Sequence, residues 1–204
     1  EAGIAVTQPA RLGSTPESAE LFHRHLSIPL GQMIPMLNER SDNFFAEHLW
    51  KAAAREATGR GSYAEGGTAS ALHFMTQADI PPGNLYQFDG SGLSRHSRSS
   101  PLALVRALVY AHRQPYSDLF HRSMAVAADP DGTMNRLYRN GPAANNLHAK
   151  TGYIRNVRTL SGYVRAANGE MIAFSFLYNG GNTNGARAVQ EGLGELLARY
   201  GGTP

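Results

Sequence analysis

Residues 146–179, NLHAKTGYIRNVRTLSGYVRAANGEMIAFSFLYN, decide the fold class. They contain three runs of strand length rich in β-branched and aromatic residues: Leu147 to Tyr153, Thr159 to Arg165 and Met171 to Tyr178. Asn168-Gly169, between the last two, is the pair a tight hairpin favours, because both residues tolerate left-handed backbone. A three-stranded antiparallel meander is therefore expected. After the Gly180 to Gly185 loop, Ala186 to Tyr200 puts Val189, Leu193, Leu196 and Leu197 on one side of a terminal amphipathic helix.

Upstream of the meander the pattern is helical. Glu17 to Leu26, Gly31 to Glu39 and Gly67 to Ala78 are helix candidates, and Asn43 to Glu56 is a stronger one, with Phe45, Leu49 and Ala53 on one face. Ser41 stands where that helix should start, as a serviceable N-cap, and Asp42 suits a helix amino terminus. Ser100-Pro101 opens a further helix, Ser as cap and Pro at the first helical position, with Leu102, Val105, Leu108 and Val109 on one face to about Gln114. A shorter piece runs from Tyr116 to Met124. Gly3 to Val6 reads as a strand end, Thr7 to Pro16 as loop, and the glycine-rich Gly59 to Gly67 as a flexible loop without a phosphate-binding Lys. Helices first, then a meander, then a helix is an α+β arrangement, not a doubly wound sheet.

Composition removes several function classes. The sequence has no cysteine, which excludes disulfides, thiolate nucleophiles and cysteine metal sites together. No apolar run reaches the roughly 20 residues of a spanning helix, so no transmembrane segment is expected. The net charge of +3 is carried by Arg scattered in ones and twos, which gives a nucleic-acid partner little support. Eight histidines include no His-Glu-x-x-His or similar ligand pair, so neither a metal nor a cofactor is expected. The chain begins at Glu1 rather than Met and shows no leader, and is expected to be a processed or truncated piece.

Only Lys51 and Lys150 are lysines, and the second lies in Lys150-Thr151-Gly152 on the first meander strand. A cation and a hydroxyl side by side at a sheet rim can hold a carboxylate, and the Gly leaves the strand backbone open to a ligand. Ser41-Asp42-Asn43 could supply a proton-relaying hydroxyl and a substrate-orienting amide from one turn, or merely cap a helix. Ser-Asp-Asn followed by Lys-Thr-Gly matches two of three signatures of class A β-lactamases and penicillin-binding proteins, the third being Ser-x-x-Lys.

Three stretches carry a closer resemblance: Ser41-Asp-Asn-Phe-Phe-Ala-Glu-His-Leu49, Asp89-Gly-Ser-Gly-Leu-Ser-Arg95, and Lys150-Thr-Gly152 leading into Leu160-Ser-Gly-Tyr-Val164. Over most of residues 28 to 200 the chain resembles the low-molecular-mass class C penicillin-binding proteins, D-alanyl-D-alanine carboxypeptidases and endopeptidases of the bacterial periplasm or outer cell surface. The resemblance implies an incomplete serine β-lactamase/penicillin-binding transpeptidase-like fold. Residues 28–140 would form a mainly helical region with Ser-Asp-Asn, and 145–204 the sheet and terminal helix with Lys-Thr-Gly. It also implies a peptidoglycan stem peptide as substrate and β-lactams as acylating inhibitors.

By the same resemblance Ser41 would relay protons, Asn43 would hold a substrate amide, and Lys150 with Thr151 would receive the terminal carboxylate. Gly152 and Tyr153 would complete the substrate-binding rim, the Tyr153 backbone N–H forming half of an oxyanion hole, and Asp89, Gly90, Ser91 and Gly92 would form a supporting loop. Ser-x-x-Lys is absent, since His48 precedes Lys51 by three and Leu147 precedes Lys150 by three. The nucleophile is thus expected upstream, in a fragment that would also pair with the open edge of the sheet, and this chain alone is expected to be inactive. Two rivals remain: a non-catalytic wall-binding pseudoenzyme, and a class A β-lactamase. The second is disfavoured because no Glu lies between Glu65 and Glu170 to serve deacylation.

Overall fold

A computed structural model describes residues 3, 5, 7–9, 11–61 and 67–202. The strand expected at Gly3 to Val6 and the loop at Gly59 to Gly67 lie partly outside them. Six helices and six strands follow: α1 (Leu30–Arg40), α2 (Asn43–Thr58), α3 (Thr68–Gln77), β1 (Leu85–Tyr86), β2 (Arg98–Ser99), α4 (Pro101–His112), α5 (Ser117–Arg122), β3 (Ala125–Val126), β4 (His148–Ile154), β5 (Val157–Arg165), β6 (Met171–Asn179) and α6 (Thr183–Arg199).

The meander forms as expected, and β3 adds a fourth strand in the antiparallel order β3-β4-β5-β6. Lys150 pairs with Ser161, and Gly152 with Thr159. The Asn168-Gly169 hairpin is present: Gly169 takes φ +90°, and its N–H donates to Ala166 O at 2.9 Å. β4 and β5 are joined by Arg155-Asn156, where Asn156 takes φ 65°. Strands β1 to β3, of two residues each, are too short to show a sequence period.

One core layer lies between the sheet and α6, built on Met134, Tyr138, Leu147, Leu160, Val164, Phe174 and Ala198. On the other face Tyr163 packs with Leu108 of α4 and Met124, and its hydroxyl donates to Leu108 O at 2.6 Å. Ser100 caps α4 as expected, accepting from Ala103 N at 3.1 Å.

Four expectations need correction. Glu17 to Leu26 is not helical: Leu21, Phe22 and Leu26 are 71%, 101% and 76% exposed, so no apolar face is buried to hold so short a helix. Ser41 is not the cap of α2 but the left-handed residue ending α1 (φ 56°, ψ 47°), and Asp42 is the cap, accepting from Phe45 N at 3.1 Å. On α2 the buried residue is Ala54, while Ala53 is exposed. On α6 the small residues face inward.

The α6 reversal has a steric cause. A Cβ on Gly194 would lie 2.6 Å from Tyr138 Cε1 and 2.9 Å from Leu147 Cδ1, so the helix approaches the core on Ala186, Gly194 and Ala198. Val189 and Leu196 are left 61% and 64% exposed, and Leu193 partly so, whereas Leu197 does pack against the core. Val189 and Leu193 line an open apolar groove of about 560 Å³ with Pro101, Phe176 and Tyr178.

Candidate active site

The break between α1 and α2 presents one hydroxyl. Because Asp42 satisfies the α2 amino terminus, the Ser41 side chain has no capping duty, and its Oγ accepts from Lys150 Nζ across a sequence separation of 109. The ammonium also donates to Thr151 O at 2.7 Å. Burial pushes the Lys150 pKa below the usual lysine range, and the charge of Glu39 partly offsets this.

Ser41, Lys150 and Thr151 are therefore brought together. Asn43 opens α2 two residues after Ser41 and is exposed. A Cβ on Gly152 would meet Thr159 Oγ1 on the paired strand, so a larger residue there would require the Thr159 side chain to turn away. Tyr153 is 64% exposed at the rim, with the Arg158 guanidinium 5.1 Å from its ring centroid.

The Asp89–Arg95 loop is tied at three places. Asp89, 8% exposed, accepts from Ser91 Oγ at 2.8 Å, Ser94 N at 3.0 Å and Ser97 Oγ at 2.8 Å. Burial alone would raise its pKa, but those bonds, with a contribution from the Leu93 N–H, outweigh it and hold the carboxyl below its usual range. Glu47 of α2 accepts from Gly90 N at 3.2 Å and Ser91 N at 3.1 Å. Gly90 permits this approach, since a Cβ there would sit 2.7 Å from Trp50 Cβ. Gly92 takes φ +73°, and Arg95 Nη2 donates to Arg155 O at 3.0 Å, tying the loop to the β4–β5 turn.

Between this loop and the sheet runs a cleft of about 730 Å³, with Ser91, Arg95, Lys150, Thr159 and Asn179 among its lining. Its chemistry is cationic and hydroxyl-rich at the Lys150 end, which suits a carboxylate-terminated ligand in extended form. Glu47, Glu39 and the Arg155 carbonyl escaped the sequence reading. For Glu47 a signal existed: it shares an α2 face with Trp50 and Ala54, at i, i+3 and i+7. Among the described residues no group of three or more His, Cys, Asp or Glu could hold a metal ion, and no helix is long and apolar enough to cross a membrane.

Residues 1–200 match the family described as D-Ala-D-Ala carboxypeptidase 3 (S13). The chain belongs to this family. It is 31% identical over 207 residues to the D-alanyl-D-alanine carboxypeptidase of Actinomadura sp. (strain R39), covering 98% of this chain and 38% of that protein. It is 32% identical over 186 residues to D-alanyl-D-alanine carboxypeptidase DacB of Haemophilus influenzae, covering 89% of this chain and 38% of DacB. The chain thus spans 38% of the length of each of these two relatives.

Among solved structures, penicillin binding protein 4 (dacB) of Haemophilus influenzae, complexed with a novel β-lactam, superposes with a TM-score of 0.81 at 28% identity, over 93% of this chain and 46% of that one. The penicillin G-acylated endopeptidase Bd3459 of Bdellovibrio bacteriovorus, in complex with its immunity protein, shares the fold with a TM-score of 0.62 at 23% identity, over 86% and 47% of the two chains. The fold is the penicillin-binding, β-lactamase-like one, and the family's description names D-Ala-D-Ala carboxypeptidases, which are hydrolases.

Proposed function

We propose that this chain is the carboxy-terminal part of a serine D-Ala-D-Ala carboxypeptidase working on peptidoglycan stem peptides outside the cytoplasm. The observation that carries the reading is the Ser41–Lys150 contact at the end of an open cleft, joining the two motifs from distant elements. In the intact protein a serine outside this chain attacks the carbonyl between the two D-Ala residues. The acyl-enzyme forms as D-Ala leaves, and water then releases the shortened peptide.

The residues present divide the work. Ser41 Oγ, bonded to the ammonium, delivers a proton to the departing amine. Lys150 and Thr151 bind the terminal carboxylate, and Asn43 on the first turn of α2 holds a substrate amide. The Tyr153 N–H, on exposed β4 backbone beside Gly152, provides one donor for the carbonyl oxygen as it gains charge. β-Lactams acylate the same serine. The segment that brings the nucleophile also covers the open edge of β6 and the apolar groove beside α6.

The test is D-Ala release from a D-Ala-D-Ala-terminated pentapeptide by the full-length polypeptide. Stoichiometric release dependent on Lys150 supports the reading. Peptide binding without release points instead to a wall-binding pseudoenzyme, and rapid penicillin hydrolysis to a β-lactamase.

A further inference from the structure

The end of α1 is tethered twice immediately before Ser41. Asn38 Nδ2 donates to Ser123 Oγ at 2.7 Å, and Ser123 is buried at the end of α5. Glu39 Oε1 accepts from Thr133 N at 2.7 Å and from Thr133 Oγ1 at 3.1 Å, and the Glu39 carbonyl accepts from the same hydroxyl at 3.0 Å. Thr133 is itself fixed, because the next residue, Met134, is wholly buried in the core and its carbonyl accepts from Ala128 N at 3.2 Å.

Two residues beyond Glu39, Ser41 holds left-handed backbone, which is unfavourable for a non-glycine residue and persists only where the surroundings impose it. Lys150 approaches that hydroxyl from β4. The ionisable groups around the ammonium are Glu39 from α1 and, across the cleft, Asp89, Arg95 and Arg98 from the loop and β2, while β5 contributes only hydroxyls, at Thr159 and Ser161. Glu39 is the carboxylate whose charge bears on Lys150, while Asp89 accepts from Ser91, Ser94 and Ser97.

We infer that Glu39 is a positioning residue of the site: it clips the β3–β4 loop to the end of α1 through Thr133, fixing the Ser41 hydroxyl, and it holds a carboxylate two residues from the hydroxyl that Lys150 meets. The inference rests on the carboxypeptidase reading for its consequence in catalysis, but not for its structural content. The two duties separate by substitution. Glu39→Gln keeps an oxygen for Thr133 and removes the charge, Thr133→Val removes the hydroxyl and keeps the charge, and Glu39→Ala removes the charge and the side-chain acceptor, leaving Thr133 only the backbone carbonyl of residue 39.

The experiment uses the full-length polypeptide and two readouts. Lysine-labelled NMR follows the Lys150 ε-signal with pH, assigned by its loss in Lys150→Arg. Penicillin acylation rates are measured across the same range. In Glu39→Gln the Lys150 midpoint and the alkaline limb of acylation both move to lower pH, because the neutral form is no longer opposed by a carboxylate. In Thr133→Val the midpoint stays and acylation at neutral pH slows by about tenfold, the loss of one or two positioning hydrogen bonds. A Glu39→Gln midpoint equal to the wild-type value, or acylation in Glu39→Ala equal to wild type, overturns the inference. Wild-type protein that titrates as described but takes no penicillin overturns the carboxypeptidase reading and leaves Glu39's link to Lys150 standing.

Discussion

Replacing Asp89 with asparagine changes the charge of the loop's central group at nearly constant shape. Oδ2 accepts from Ser91 Oγ and Ser94 N, and Oδ1 from Ser97 Oγ, a hydroxyl that in turn accepts from Phe88 N at 3.0 Å. An asparagine places its oxygen toward Ser94 N and its amide toward Ser97 Oγ, which has lone-pair capacity to accept it. The Ser97 hydroxyl hydrogen loses its acceptor on residue 89, and the retained bonds lose charge assistance. A bond to a charged group contributes about 1 kcal/mol more than a neutral one, so two or three weakened bonds cost about 2 kcal/mol.

Local hydrogen exchange at the Ser94 amide reads that cost directly, since 2 kcal/mol of lost protection corresponds to about thirtyfold faster exchange. The pH dependence has a definite sign. The folded carboxyl titrates below its unfolded value, so its stabilisation is fully present above the ordinary carboxylate range and is lost as pH falls through the folded value. The gap between wild type and Asp89→Asn therefore narrows in acid. Exchange at Ser94 unchanged within about twofold, or a gap independent of pH, would refute the assignment of Asp89 as the charged centre of the loop.

Other consequences are as direct. Gly194→Ala forces a methyl against Tyr138 and Leu147 and should lower stability by about 1–3 kcal/mol, seen in thermal melts. Because burial depresses the Lys150 pKa, binding of an acyl-D-Ala-D-Ala carboxylate should weaken at a pH below that at which an ordinary lysine titrates; Lys150→Arg, which stays protonated, should abolish that alkaline limb in a binding titration. Val189→Ser with Leu196→Ser should leave α6 folded, since its packing face is Ala186, Gly194 and Ala198, yet reduce association of this chain with the rest of the polypeptide in sedimentation.

The meander strands and α4 were readable because β-branched and aromatic runs, an Asn-Gly turn and a Ser-Pro cap each carry a local physical preference. Where several residues could meet one local need, the decision was tertiary. Ser41 and Asp42 are both acceptable caps, and the left-handed end of α1 assigns the duty to Asp42 and leaves Ser41 to Lys150. The α6 period was correct, but period says only that a stripe exists. The Tyr138 ring, 56 residues upstream of Gly194, determines that the glycine side packs inward. Glu39 and Glu47 act through backbone amides, Thr133 in one case and Gly90 with Ser91 in the other; the face Glu47 shares with Trp50 and Ala54 is legible in the sequence, but these distant partners are not.

Covalent capture by a β-lactam locates the nucleophile. Full-length polypeptide incubated with a labelled penicillin should show, by intact mass, one adduct on a serine outside residues 1–204, with labelling strongly reduced by Lys150→Ala and absent from residues 1–204 alone. An adduct on Ser41, or no adduct on the full-length protein, would contradict it.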